Sequence, residues 1–182
     1  MIETLYEKFG VIVINDFFNQ AECHAFIEMS ERHGYETAKI KTAFGEQESE
    51  EVRNNQRIVF DDFDLAKNIF EKAKSYLPEE INYWKPIALN ERFRFYKYDS
   101  SQYFKWHVDG IYVKNYYESS KLTILIYLND DYQGGETEFE QFKVSPKAGM
   151  AVIFPHKLRH QSTPIIEGIK YVLRSDVMYA KA

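Results

Sequence analysis

The chain has 182 residues, with 28 acidic against 23 basic side chains and a formal charge of −5. That length suits one domain over residues 1–182, and the acidic balance gives no field that would gather nucleic acid or an anionic membrane surface. The single cysteine, Cys23, excludes an internal disulfide and a metal cluster held by several thiolates, so any metal here takes nitrogen and oxygen ligands.

In chain order, the first segment shows no signal-peptide pattern and no later run reaches the roughly 20 apolar residues of a membrane span, which predicts a cytoplasmic protein. Val11 to Ile14 reads as a strand. Asn19, with Glu22 three residues on, makes a capping box for a helix that Gly34 stops, and Cys23, Phe26, Ile27 and Ser30 mark its inward stripe. Gly45 to Arg53 is polar and acidic, which predicts a mobile surface loop and a candidate lid. A second helix is predicted over about Leu65 to Leu77, capped by Asp62 or Asp64 and ended by Pro78.

From Arg92 onward the pattern changes to short β-branched and aromatic runs, punctuated by turn clusters such as Asp99-Ser100-Ser101 and Gln133-Gly134-Gly135. Leu122 to Leu128 and Ala151 to Phe154 are apolar on both alternating faces and should be central strands. The expected fold is mainly β with flanking helices (α+β): helical support over about 1–90, then a jelly-roll core over about 91–182, with the helices on one sheet.

The chemical signal begins at Trp106-His107-Val108-Asp109-Gly110. On a strand, positions i and i+2 face the same way, so His107 and Asp109 can grip one cation. A third ligand must come from elsewhere, and His160 and His156 both compete for that place. Two imidazoles and one carboxylate leave positions open on an octahedral metal, the arrangement typical of Fe(II) that must also bind a co-substrate and O2.

These residues, with Arg94-Phe95-Tyr96-Lys97-Tyr98, Ile126-Tyr127-Leu128-Asn129, Gly134-Gly135-Glu136-Thr137, Pro146-Lys147-Ala148-Gly149 and Gly168-Ile169-Lys170-Tyr171 in that order, resemble the prolyl 4-hydroxylase-like branch of the 2-oxoglutarate/Fe(II) oxygenases. The resemblance implies a jelly roll, Fe(II), 2-oxoglutarate, O2 and a reductant such as ascorbate. It implies His107, Asp109 and His160 as metal ligands. It implies Lys170, ten residues past His160, as the partner of the 2-oxoglutarate C5 carboxylate, Tyr127 as a second donor, Tyr98 in the pocket and Arg174 as the alternative cation.

Asn55 and Arg57 echo a run near the substrate entrance of such enzymes, which predicts contact with a peptide or small-molecule substrate. Where relatives often have Gly, this chain has Ser101. A cupin-like metalloenzyme of other chemistry and a non-catalytic module that binds iron or 2-oxoglutarate are the competing readings, and Lys170 speaks against the first.

Overall fold

The long strands are buried on both faces, and alternate residues along them enter two separate cores. The computed structural model describes residues 8–42 and 45–181. The first half contributes β1 (Ile12–Ile14), α1 (Gln20–His33), β2 (Glu36–Thr37), β3 (Ile40–Thr42), β4 (Gly45–Gln47), β5 (Gln56–Asp61), α2 (Phe63–Ala73) and β6 (Trp84–Leu89). There follow β7 (Arg92–Tyr98), β8 (Phe104–His107), β9 (Glu118–Tyr127), β10 (Gln133–Gly134), β11 (Thr137–Phe139) and β12 (Lys143–Val144). The chain closes with β13 (Ala151–Pro155), β14 (His160–Ser162), β15 (Ile165–Glu167) and β16 (Lys170–Lys181).

An eight-stranded antiparallel sheet runs β1-β13-β9-β16-β7-β5-β2, with β6 also paired to β16. A four-stranded sheet, β12-β11-β14-β8, faces it and completes the jelly roll. Leu122, Ile124, Ile126, Phe93, Phe95, Ile153 and Leu173 point from the large sheet toward the helices, where Ile69, Phe70 and Cys23 meet them. The intervening positions Leu125, Tyr127, Tyr96, Tyr98, Val152, Phe154 and Val172 point the other way, into the space between the sheets. A wholly buried side chain such as Phe95 contributes roughly 2–3 kcal/mol by leaving water.

The capping box on α1 is formed: the Glu22 amide donates to Asn19 Oδ1 at 2.9 Å and the Asn19 amide to Glu22 Oε2 at 2.7 Å. Asp62 caps α2, its Oδ1 accepting the Leu65 amide at 2.9 Å. That helix therefore starts two residues earlier than the periodicity predicts, and it tightens into a 3-10 turn over Lys74–Tyr76, since a residue before Pro78 resists the helical conformation.

Two expectations are corrected. The first ninety residues are more than helical support, because β1, β5 and β6 all join the large sheet. Gly45 to Arg53 is only partly loop: Gly45–Gln47 pairs with β3, a turn at Ser49 follows, and Arg53 bridges to Phe104 while the Lys105 amide donates to the Val52 carbonyl at 2.9 Å. The polar composition hid this, since pairing uses backbone groups that every residue has. Among the described residues no helix is long and apolar enough to cross a membrane.

Candidate metal centre and anion pocket

His107 ends β8 and His160 opens β14, and the two are direct cross-strand partners in the small sheet. Asp109 lies two residues beyond the end of β8 rather than on it, and its amide donates to the His156 carbonyl at 3.0 Å. One ligand atom from each of His107, Asp109 and His160 lies within 4.8 Å of the others, close enough to share one ion.

Each imidazole is oriented from behind. His107 Nδ1 lies 2.7 Å from the Lys105 carbonyl and His160 Nδ1 lies 2.9 Å from the Leu158 carbonyl. A carbonyl can only accept, so both Nδ1 atoms carry hydrogen and both Nε2 lone pairs are available to a metal. Burial, and then the neighbouring His160, push His107 down to about 3, and burial lowers His160 as well, so both rings are neutral as ligands must be. Burial alone would raise the Asp109 carboxyl. The Arg174 guanidinium, foremost, and the Thr123 hydrogen bond oppose it, and Asp109 is held well below the ordinary carboxylate range. The Arg174 guanidinium pairs with Asp109 Oδ1 at 3.1 Å, and the Thr123 hydroxyl donates to Oδ2 at 2.6 Å.

Lys170 opens β16 beside Tyr98 and is only 1% exposed. Its ammonium donates to the Gly135 carbonyl at 2.6 Å and to Ser162 Oγ at 3.0 Å, and among the described residues no carboxylate lies within ion-pair distance. Burial pushes this lysine down to about 7, with Glu136 acting in the opposite sense. Gly135 is required beside it: φ is +68°, and a Cβ there would stand 2.4 Å from Ile165 Cδ1 and 3.2 Å from Lys170 Cδ. One cavity is lined by His107, Asp109 and His160 at one end and by Lys170, Tyr98 and Ser162 at the other.

Tyr98 and Tyr127 line this cavity, and the Tyr127 hydroxyl is hydrogen-bonded to Thr137 Oγ1 at 2.7 Å, with its ring centroid 5.5 Å from the Lys170 ammonium. Arg174 differs from its expected place. Its guanidinium serves Asp109 and Asp176, the latter at 3.0 Å, at the metal end of the cavity. Asn55 is wholly buried, its Oδ1 accepting from Arg53 Nε at 2.9 Å and its amide donating to the Gln56 carbonyl at 3.0 Å. Arg57 lies on β5 opposite Tyr96. Neither lines the cavity. Ser162 and Thr123 carry no motif in the sequence. Ser162 alone had a signal, standing two residues past His160 on one strand face.

Residues 93–175 match the family model of the 2OG-Fe(II) oxygenase superfamily. That matched stretch contains His107, Asp109, His160 and Lys170, so the metal set and the buried lysine all fall within the similarity to that superfamily. A PKHD-type hydroxylase of Alteromonas mediterranea is 30% identical over a stretch covering 41% of this chain and 37% of that relative, so little more than a third of the relative's length is spanned. In fold, the chain resembles a viral collagen prolyl hydroxylase of Paramecium Bursaria Chlorella virus-1 (TM-score 0.65, 20% identity, 93% of this chain and 96% of that one). It also resembles a Pseudomonas putida prolyl-4-hydroxylase (TM-score 0.67, 15% identity, 94% of each chain). A Trichoplax adhaerens prolyl hydroxylase, solved with a peptide fragment of the hypoxia inducible factor oxygen degradation domain, gives a TM-score of 0.72 at 14% identity over 100% of this chain and 88% of that one. The superfamily implies Fe(II), 2-oxoglutarate and O2, and the donor set fits them: two neutral imidazoles and a carboxylate for the ion, and, for a carboxylate, a buried cation with no ion-pair contact among the described residues.

Proposed function

We propose that the chain is a 2-oxoglutarate- and Fe(II)-dependent dioxygenase that hydroxylates an unactivated C–H bond of a prolyl, peptide or small-molecule substrate. The observation that carries this reading is one cavity holding a three-residue metal set at one end and, at the other, a buried lysine with no carboxylate in ion-pair contact among the described residues. His107, Asp109 and His160 would hold the ferrous ion, and Lys170 would take the C5 carboxylate of the keto acid. Bound together, iron and 2-oxoglutarate supply the oxidising chemistry: O2 and the keto acid are consumed, succinate and CO2 are released, and one oxygen atom enters the substrate. The protein's own part is positional, because buried donors hold each ligand and the apolar walls Leu125, Phe104 and Val172 limit water at the reacting centre.

Next to Asp109 the loop exposes Val108 (55%), Ile111 (63%) and Val113 (65%), a run of apolar side chains that favours a substrate with an apolar face, as a prolyl peptide has. The test is anaerobic binding of Fe(II) and 2-oxoglutarate, followed by succinate release on admitting air. Failure of the chain to bind 2-oxoglutarate in the presence of metal, with no iron-dependent succinate, would remove the reading. A mass-spectrometric search of peptide and metabolite pools for a gain of one oxygen then identifies the substrate.

A further inference from the structure

His156 is the remaining histidine of this region. It is 3% exposed, and both of its ring nitrogens meet hydroxyls: Nδ1 is 2.8 Å from Thr123 Oγ1 and Nε2 is 2.8 Å from Ser120 Oγ. Its backbone carbonyl accepts the Asp109 amide. One residue therefore holds Asp109 from two directions, directly through the main chain and indirectly through Thr123.

Counting protons fixes the polarity of the chain of contacts. An ionised carboxylate only accepts, so the one hydroxyl proton of Thr123 goes to Asp109 Oδ2. Thr123 must then accept from His156, which places the ring hydrogen on Nδ1 and leaves Nε2 to accept from the Ser120 hydroxyl. The Ser120 oxygen in turn accepts the Tyr112 amide at 2.9 Å. Every group from Tyr112 to Asp109 is satisfied in a single direction, with Arg174 pairing Oδ1 on the far side. Rotation of the carboxylate is blocked at both oxygens, and Oδ2 is left 3.8 Å from His160 Nε2, facing the space an ion would occupy.

We propose that His156 is a positioning residue which, acting through Thr123, fixes the Asp109 carboxylate for metal binding, and that it is not itself a metal ligand. This rests on the metal-binding reading above, and the test separates the two. Mn(II) is titrated by calorimetry into the chelator-stripped chain, with thermal unfolding followed in parallel. His156→Leu and Thr123→Val should each weaken Mn(II) binding by about ten- to a hundredfold. The double variant should lose no more than the worse single variant, because both cut one chain of contacts. His156→Asn, whose amide can stand where Nδ1 stands, should recover most of the affinity. If His156→Leu does not fold, the nearly isosteric Thr123→Val carries the test. Binding by Thr123→Val that matches the wild type overturns the inference, as do single losses that multiply in the double variant. Direct ligation by His156 would show as loss in His156→Leu with none in Thr123→Val, which also overturns it. A wild-type chain that takes up no Mn(II) overturns the metal reading along with the inference.

Discussion

The two ends of the cavity are built on opposite plans. At the metal end the three candidate ligands are already held from behind: two carbonyls hold the imidazoles, while Arg174, Thr123 and the His156 carbonyl hold Asp109. At the other end a buried ammonium donates to a carbonyl and a hydroxyl, with no carboxylate in ion-pair contact among the described residues. Charge at the metal end is balanced within the fold. At Lys170 it is left for a ligand to balance, so the free protein bears a cost there that an anion removes.

The largest expected effect lies at the balanced end. His107→Ala should abolish iron-dependent succinate formation, and retention of even a tenth of wild-type turnover would remove His107 from the ligand set. Lys170→Met should weaken 2-oxoglutarate binding by roughly ten- to a hundredfold, the worth of a charge-assisted contact of about 1.5–3 kcal/mol. Its melting temperature without ligand should nevertheless be no lower than wild type, because the variant buries no unbalanced charge. A clear drop would show that the ammonium stabilises the free fold.

The pH dependence follows from the same lysine. With its folded value pushed down to about 7, the free protein holds a neutral amine at higher pH, whereas a bound dianion needs the ammonium. Binding then takes up a proton, and the 2-oxoglutarate Kd should climb by up to about tenfold per unit above pH 7. From pH 7 toward 10.5 the unfolded lysine keeps a proton that the folded one has released, so this group makes the free protein more stable as pH rises. Calorimetry in buffers of differing ionisation enthalpy checks the uptake, and a flat Kd would show that the amine stays charged throughout. Tyr127→Phe should cost about 1 kcal/mol of stability through the lost Thr137 bond and change 2-oxoglutarate affinity less than Lys170→Met does. Smallest is Ser101→Gly: Ser101 sits at φ +67°, and relieving that strain should stabilise by less than about 1 kcal/mol in chemical denaturation.

The parts of the site that repeat a period or a spacing were legible in the sequence. His107 and Asp109 stand two apart, Lys170 stands ten past His160, and the apolar alternation of Leu122–Leu128 marks a strand covered on both faces, as β9 is. What holds those groups was not legible. Thr123 is one polar residue in an apolar strand, His156 reads equally well as a ligand, and the Arg174 partnership with Asp109 depends on how two distant strands are registered. Asn55 was no more legible, since a residue expected to contact substrate is wholly buried against Arg53.

β16 carries Lys170 at its start and Arg174 four residues later on the same face, one serving the anion end and the other touching Asp109. At about 3.3 Å per residue their Cα atoms stand roughly 13 Å apart. Clamped along its length by β9, β7 and β6, this strand acts as a ruler, and a molecule that must reach from the lysine to the iron-binding groups is measured against its rungs.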